Sequence, residues 1–195
     1  MNSDNNEFEA LQVSFGDKGT KVNAINYGHP HTEAIVESAI EVIRESETGR
    51  KLLKVMDKFN IPVQVIKGTD ESGYSAEMRA IFLQVPGKVN GFNGEATINL
   101  IKSLREADLD QLGTKAPDPM KDVMGYAGFI HARNIDTMYY VCEVIKELTN
   151  SSYFSVLLDS LSNLGLNSFY KAQSEGASKE ELYDYYAEAY NRGSN

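Results

Sequence analysis

Hydrophobic residues recur every three or four positions along most of this chain, the spacing of helices with one buried face. From Thr32, the apolar residues Ile35, Val36, Ala39, Ile40 and Ile43 fall on one side, with Glu37, Glu41 and Arg44 opposite. Ser46 to Gly49 interrupts the pattern, and Leu52, Leu53, Val55, Met56 and Phe59 resume it. Thr48 is placed to cap this second helix. Glu95 to Leu112 predicts a third helix, closed by Gly113 and with acidic Glu95 favourable in its first turn. A Pro-rich connection over 114–122 precedes a long helical pattern from about Val123 to Leu148. Shorter helical segments follow over 153–164 and 166–174. A last helix starts at Ser178, where Ser178-Lys179-Glu180-Glu181 has the form of a capping box.

Two stretches break this period. Ile61-Pro62-Val63-Gln64-Val65-Ile66 is β-branched, with proline near its start, where a strand tolerates it. Met78 to Val85 reads as another strand, stopped by Pro86-Gly87. A Gly/Ser/Asp loop over 68–76 lies between them, and the two strands are expected to be antiparallel neighbours. Thr20 to Tyr27 alternates weakly as a short strand before the turn Gly28-His29-Pro30-His31. Residues 1–19 read as a flexible lead-in, and 20–195 as one domain. This order predicts an α+β fold, mostly helical, with a small antiparallel sheet. It lacks the strand–helix alternation of a doubly wound sheet.

Composition narrows the partners. The 195 residues carry a net charge of −9, and the longest basic cluster is Arg50-Lys51. Such a surface repels phosphate backbones and anionic membranes, so no nucleic-acid partner is expected. No stretch approaches 18 apolar residues, so no membrane insertion is expected. MNSDNNEFEA has neither the basic nor the apolar region of a signal peptide. Cys142 is the single cysteine, which excludes an internal disulfide and fits a reducing, cytoplasmic setting.

The segment SETGRKLLKVMDKFNIPVQVIKG, the strand RAIFLQV and the closing EGASKEEL (175–182) occur in an order and spacing that resemble a bacterial family of zincin-like metallopeptidase domains. The resemblance runs over roughly residues 32–192. It implies an active-site helix carrying HExxH, followed by a helix whose Arg-x-x-Glu step supplies a carboxylate ligand. A catalytic zinc takes three protein ligands and keeps one position open for water, and HExxH puts two imidazoles and a general base on one helix face.

Laid on that pattern through Leu104-Arg105 and Asp110-Gln111, the histidine positions fall on Lys102 and Glu106, and the glutamate position on Ser103. Arg133-Asn134-Ile135-Asp136 matches the second step, so Asp136 stands at the third-ligand position. No histidine lies between residues 32 and 130. The resemblance therefore implies the scaffold without its zinc chemistry, and no cofactor is expected. Two roles for the replacements stay open. Lys102 could pair with Asp136, and with Glu106, where the ion would sit. Alternatively, Lys102 and Glu106 form an i,i+4 pair on a solvated face.

Other candidates carry weaker chemistry. His29-Pro30-His31 offers two imidazoles but is read first as a turn. His131 lies five residues before Asp136, and acid–base work is weighed there against a packed structural ring. Cys142 is eleven residues from His131, about 16 Å along a shared helix, which argues against a catalytic pair. Neither a P-loop nor a G-x-S-x-G elbow occurs. Tyr183, Tyr185, Tyr186 and Tyr190 crowd the last helix and cannot all face one core, so some of them suit contact with a partner protein or with a second copy. Three functions remain: a non-catalytic metallopeptidase-like domain that binds a protein, a divergent metal-dependent peptidase with other ligands, and an unrelated α+β assembly module.

Overall fold

The computed structural model describes residues 11–14, 21–26, 32–66, 72–84 and 91–185. The fold is α+β and mostly helical, as the periodicity predicts. Its strands are β1 (Leu11–Ser14), β2 (Lys21–Asn26), β3 (Val63–Ile66), β4 (Gly73–Ser75) and β5 (Ala80–Gln84). Its helices are α1 (Thr32–Glu45), α2 (Glu47–Phe59), α3 (Gly94–Gln111), α4 (Val123–Glu147), α5 (Phe154–Asn163) and α6 (Asn167–Ser174). A final helix, α7, is described over 179–185. No described helix is long and apolar enough to cross a membrane.

The strands lie in the order β1-β2-β3-β5-β4, and the sheet is mixed rather than antiparallel. β3 and β5 are neighbours, as expected, but they run parallel, with Val63 opposite Ile81 and Val65 opposite Leu83. The reason is β4. It lies inside the stretch read as a loop and takes the antiparallel place on the far side of β5. The chain thus passes along the sheet edge before returning beside β3, which supplies the crossover that parallel pairing needs. β2 is also parallel to β3, joined to it through α1 and α2. β1 forms within the segment read as a flexible lead-in and pairs antiparallel with β2.

The corner between α1 and α2 accounts for the whole Ser-Glu-Thr-Gly-Arg step. Ser46, not Thr48, is the N-cap, and its hydroxyl accepts from the Gly49 N–H at 2.9 Å. Gly49 approaches α1 so closely that a methyl group there would overlap the Ile43 carbonyl. Arg50 Nη1 donates back to the carbonyls of Arg44 at 3.0 Å and Glu45 at 3.3 Å, closing the end of α1. The Thr48 N–H and hydroxyl both donate to Glu147, from the far end of α4, at 2.9 and 2.6 Å. The Ser46 hydroxyl also donates to Glu147, at 2.5 Å. A carboxylate at a helix N-terminus meets both free amides and the positive end of the dipole.

α3 is the central helix. It packs against α1, α2, α4, α5, β4 and β5, and is buried on nearly every side. Asn93 caps it by accepting from the Ala96 N–H at 2.7 Å. α4, capped by Asp122, has its buried residues only in its second half, from Ile135 on. The core stripe of that half continues by helical spacing into the first half, as Asn134, Ile130, Ala127 and Val123. No residue from Leu112 to Asn134 is buried, and Val123 and Met124 are 68% and 81% exposed.

Candidate functional site

The seam between α3 and α4 holds the charged cluster of the interior. Arg105 of α3, one-tenth exposed, donates through Nε to Asp136 Oδ2 at 2.6 Å. Its Nη1 pairs with Asp108, one turn further along α3. The guanidinium also lies over the Tyr140 ring, 4.0 Å from its centroid. Asp136 Oδ1 accepts from Lys179 Nζ of α7 at 2.8 Å, and that ammonium in turn sits 4.8 Å from the centroid of Tyr139. Asp136 therefore joins three helices, with a cation on each oxygen.

The electrostatics follow from that geometry. Burial alone would raise the Asp136 carboxyl, but the hydrogen bonds and charges of Arg105 and Lys179 outweigh it and hold the group below the usual carboxylate range. Burial works against the Arg105 cation too, and Asp136 reverses the effect and keeps it charged. Stacking on Tyr140 adds a cation–π contact to a group already shielded from water.

Of the four positions that the resemblance singles out, only Asp136 belongs to this cluster. Lys102 makes no ion pair with Asp136 or with Glu106, so neither role foreseen for it is realised; Arg105 and Lys179 hold the carboxylate instead. Ser103 is fully buried and donates to the Asn99 carbonyl at 2.8 Å. Glu106 faces the sheet edge and accepts from the Tyr74 N–H of β4 at 3.1 Å, while Asp110, one turn on, accepts from the Tyr74 hydroxyl at 3.0 Å. Capping an outward N–H of an edge strand with a carboxylate blunts that edge against further pairing. The Arg-x-x-Asp step does bridge the helices: Arg133 Nη2 donates to the Glu106 carbonyl at 2.8 Å as Asp136 takes Arg105.

The remaining candidates separate. His131 packs edge-on against Tyr183 of α7, ring centroids 4.2 Å apart. Burial pushes the Cys142 thiol up to about 12, which leaves no thiolate for chemistry near neutral pH. Tyr183 and Tyr185 are exposed, whereas Tyr186, Tyr190 and His29-Pro30-His31 lie outside the described residues. Among the described residues, no three His, Cys, Asp or Glu side chains gather as a group that could hold a metal ion. A groove of about 430 Å³ opens beside the cluster, lined by Ala132, Ile135, Asp136, Lys179, Glu180 and Tyr183. In the sequence Arg105 served only, with Leu104, to set the register of the resemblance. Lys179 gave no signal, since 43 residues separate it from Asp136.

Compared with known proteins, the chain matches no family model, no curated protein and no solved structure.

Proposed function

We propose that this chain is a non-catalytic, metallopeptidase-like domain that works by binding a protein. The observation that carries this reading is the state of Asp136. Each Asp136 oxygen holds a cation, at 2.6 and 2.8 Å, and two positive charges beside the carboxylate repel a metal ion that would share it. In this reading the Arg105 guanidinium supplies the positive charge that an ion would bring. Losing either partner would leave an uncompensated charge in a site that is mostly shielded from water. The binding half of the reading draws on the first half of α4. There Val123, Met124 and Ile130 lie exposed on a helix with no charged residue among them, a surface suited to a partner with an uncharged, apolar face.

The test has two arms. The first measures zinc in full-length protein purified without added metal, together with cleavage of a mixed peptide substrate with and without chelator. Substoichiometric zinc and no chelator-sensitive cleavage are expected. One zinc per chain that disappears in Asp136→Asn, with cleavage abolished by chelator, would overturn the reading. The second arm compares partner capture by the native chain and by Met124→Glu/Ile130→Glu. Capture is expected to vanish in the variant while its melting temperature stays unchanged.

A further inference from the structure

α6 and α7 are joined in a way that leaves each helix complete in itself. α6 ends at Gly176, in the left-handed region at φ +94, with the Gly176 N–H on the Gln173 carbonyl and the Ala177 N–H on the Ala172 carbonyl, both at 3.0 Å. These are the two bonds of a Schellman closure. α7 then begins with its own capping box: the Ser178 N–H donates to Glu181 at 2.8 Å, and the Glu181 N–H donates to the Ser178 hydroxyl at 3.2 Å. No helical hydrogen bond of either helix crosses Ala177. Rotation there breaks none of the bonds that close α6, and a methyl group at Gly176 would meet nothing within 4 Å, while the half-buried Ala177 methyl rests on the core.

Within the described residues 178–185, α7 is held down narrowly. Leu182 is its one fully buried residue; every other residue from 178 to 185 is exposed. Beyond that anchor, residues 178–185 meet α4 through the Lys179–Asp136 pair, the Tyr183 ring on His131, and Lys179 over Tyr139 and Tyr140. Open grooves flank it on both sides, about 430 Å³ towards α4 and about 600 Å³ towards the end of α6, where Glu175, Glu181, Asp184 and Tyr185 stand.

We infer that α7 is a strap: a unit that swings off α4 at the Gly176–Ala177 joint while the rest of the fold stays closed, uncovering Ile135, Asp136 and the seat of Leu182. Elements with few buried contacts open locally, well below the cost of global unfolding. Amides of a helix that lifts off its seat exchange while it is undocked. The inference is separate from the binding reading, because opening is a property of the chain alone.

Residue-resolved amide hydrogen exchange on the full-length protein tests it, with native chain and Lys179→Ala side by side. Amides of 182–185 are expected to exchange at least about tenfold faster than those of α3 and of the second half of α4. In Lys179→Ala they should speed up by about two- to fivefold, the worth of a half-exposed ion pair, while α3 amides stay unchanged. The strap is refuted if 182–185 exchange at the rate of α3, or if Lys179→Ala speeds both regions equally. Either result would make α7 part of the global unit.

Discussion

The two halves of α4 carry one stripe and meet two fates. From Ile135 to Ile145 the stripe is core: Ile135, Met138, Val141, Cys142, Val144 and Ile145 are buried, and Asp136 is tied to α3 and α7. From Val123 to Asn134 the same helical face runs on for about 18 Å with nothing buried upon it. The difference teaches that an apolar stripe records which side of a helix a packing partner would occupy, not that one is present. It also separates two sources of helix stability. The second half is held by tertiary packing. The first half has the Asp122 cap, backbone hydrogen bonds and, near its end, the His131 and Arg133 contacts, and it carries Gly125 and Gly128, which weaken a helix.

The sharpest way to break the comparison is truncation in each half. Ile145→Ala should cost about 2–5 kcal/mol in urea denaturation, as large-to-small core changes do. Met124→Ala should stay within about 0.5 kcal/mol. A Met124→Ala loss approaching that of Ile145→Ala would mean that the first half is covered after all.

Acid sharpens the contrast next. Burial raises Glu147, but the hydroxyls of Ser46 and Thr48 and the backbone amides around them outweigh it and hold the carboxyl below its ordinary value. Asp136 is depressed as well. A group whose pKa is lowered by folding stabilises the fold fully above the unfolded carboxylate range and loses that contribution as pH falls through its folded value. The urea midpoint should therefore hold above roughly pH 5 and fall towards pH 3. Glu147→Gln should lower the unfolding free energy by about 1 kcal/mol at pH 7 and flatten the acid limb. An acid limb as steep as that of the native chain would show that Glu147 does not contribute to it.

The smallest expected effect has the opposite sign. A methyl group at Gly128 meets nothing within 4 Å. Gly128→Ala should therefore stabilise by about 0.5–1 kcal/mol, read as a raised melting temperature. A loss of stability would place a close neighbour on the uncovered half.

How far these features could be read from sequence varied with the range of the interaction. Helix limits came through to within a residue or two because caps and period are local: Gly113 closing α3, the interruption at Ser46, and the Ser178–Glu181 box all stand where the pattern put them. The parallel pairing of β3 and β5 was hidden because β4 is three residues long and sits in a Gly/Ser-rich stretch with no alternation to betray it. The site was the least legible part. Asp136 was singled out through the resemblance, yet which cation meets it depends on how α3 faces α4 and where α7 lands, and no spacing along the chain encodes either.

The Glu147 contact has a consequence for the order in which the chain assembles. The carboxylate that seals the start of α2 arrives from about a hundred residues downstream. Until α4 has been made and docked, Thr48 has only solvent as a partner, and the loop to be closed for that one contact spans most of the domain. Nucleation is thereby steered to local pieces such as the α1–α2 hairpin, and the long-range seal comes late, as a lock on a corner already formed.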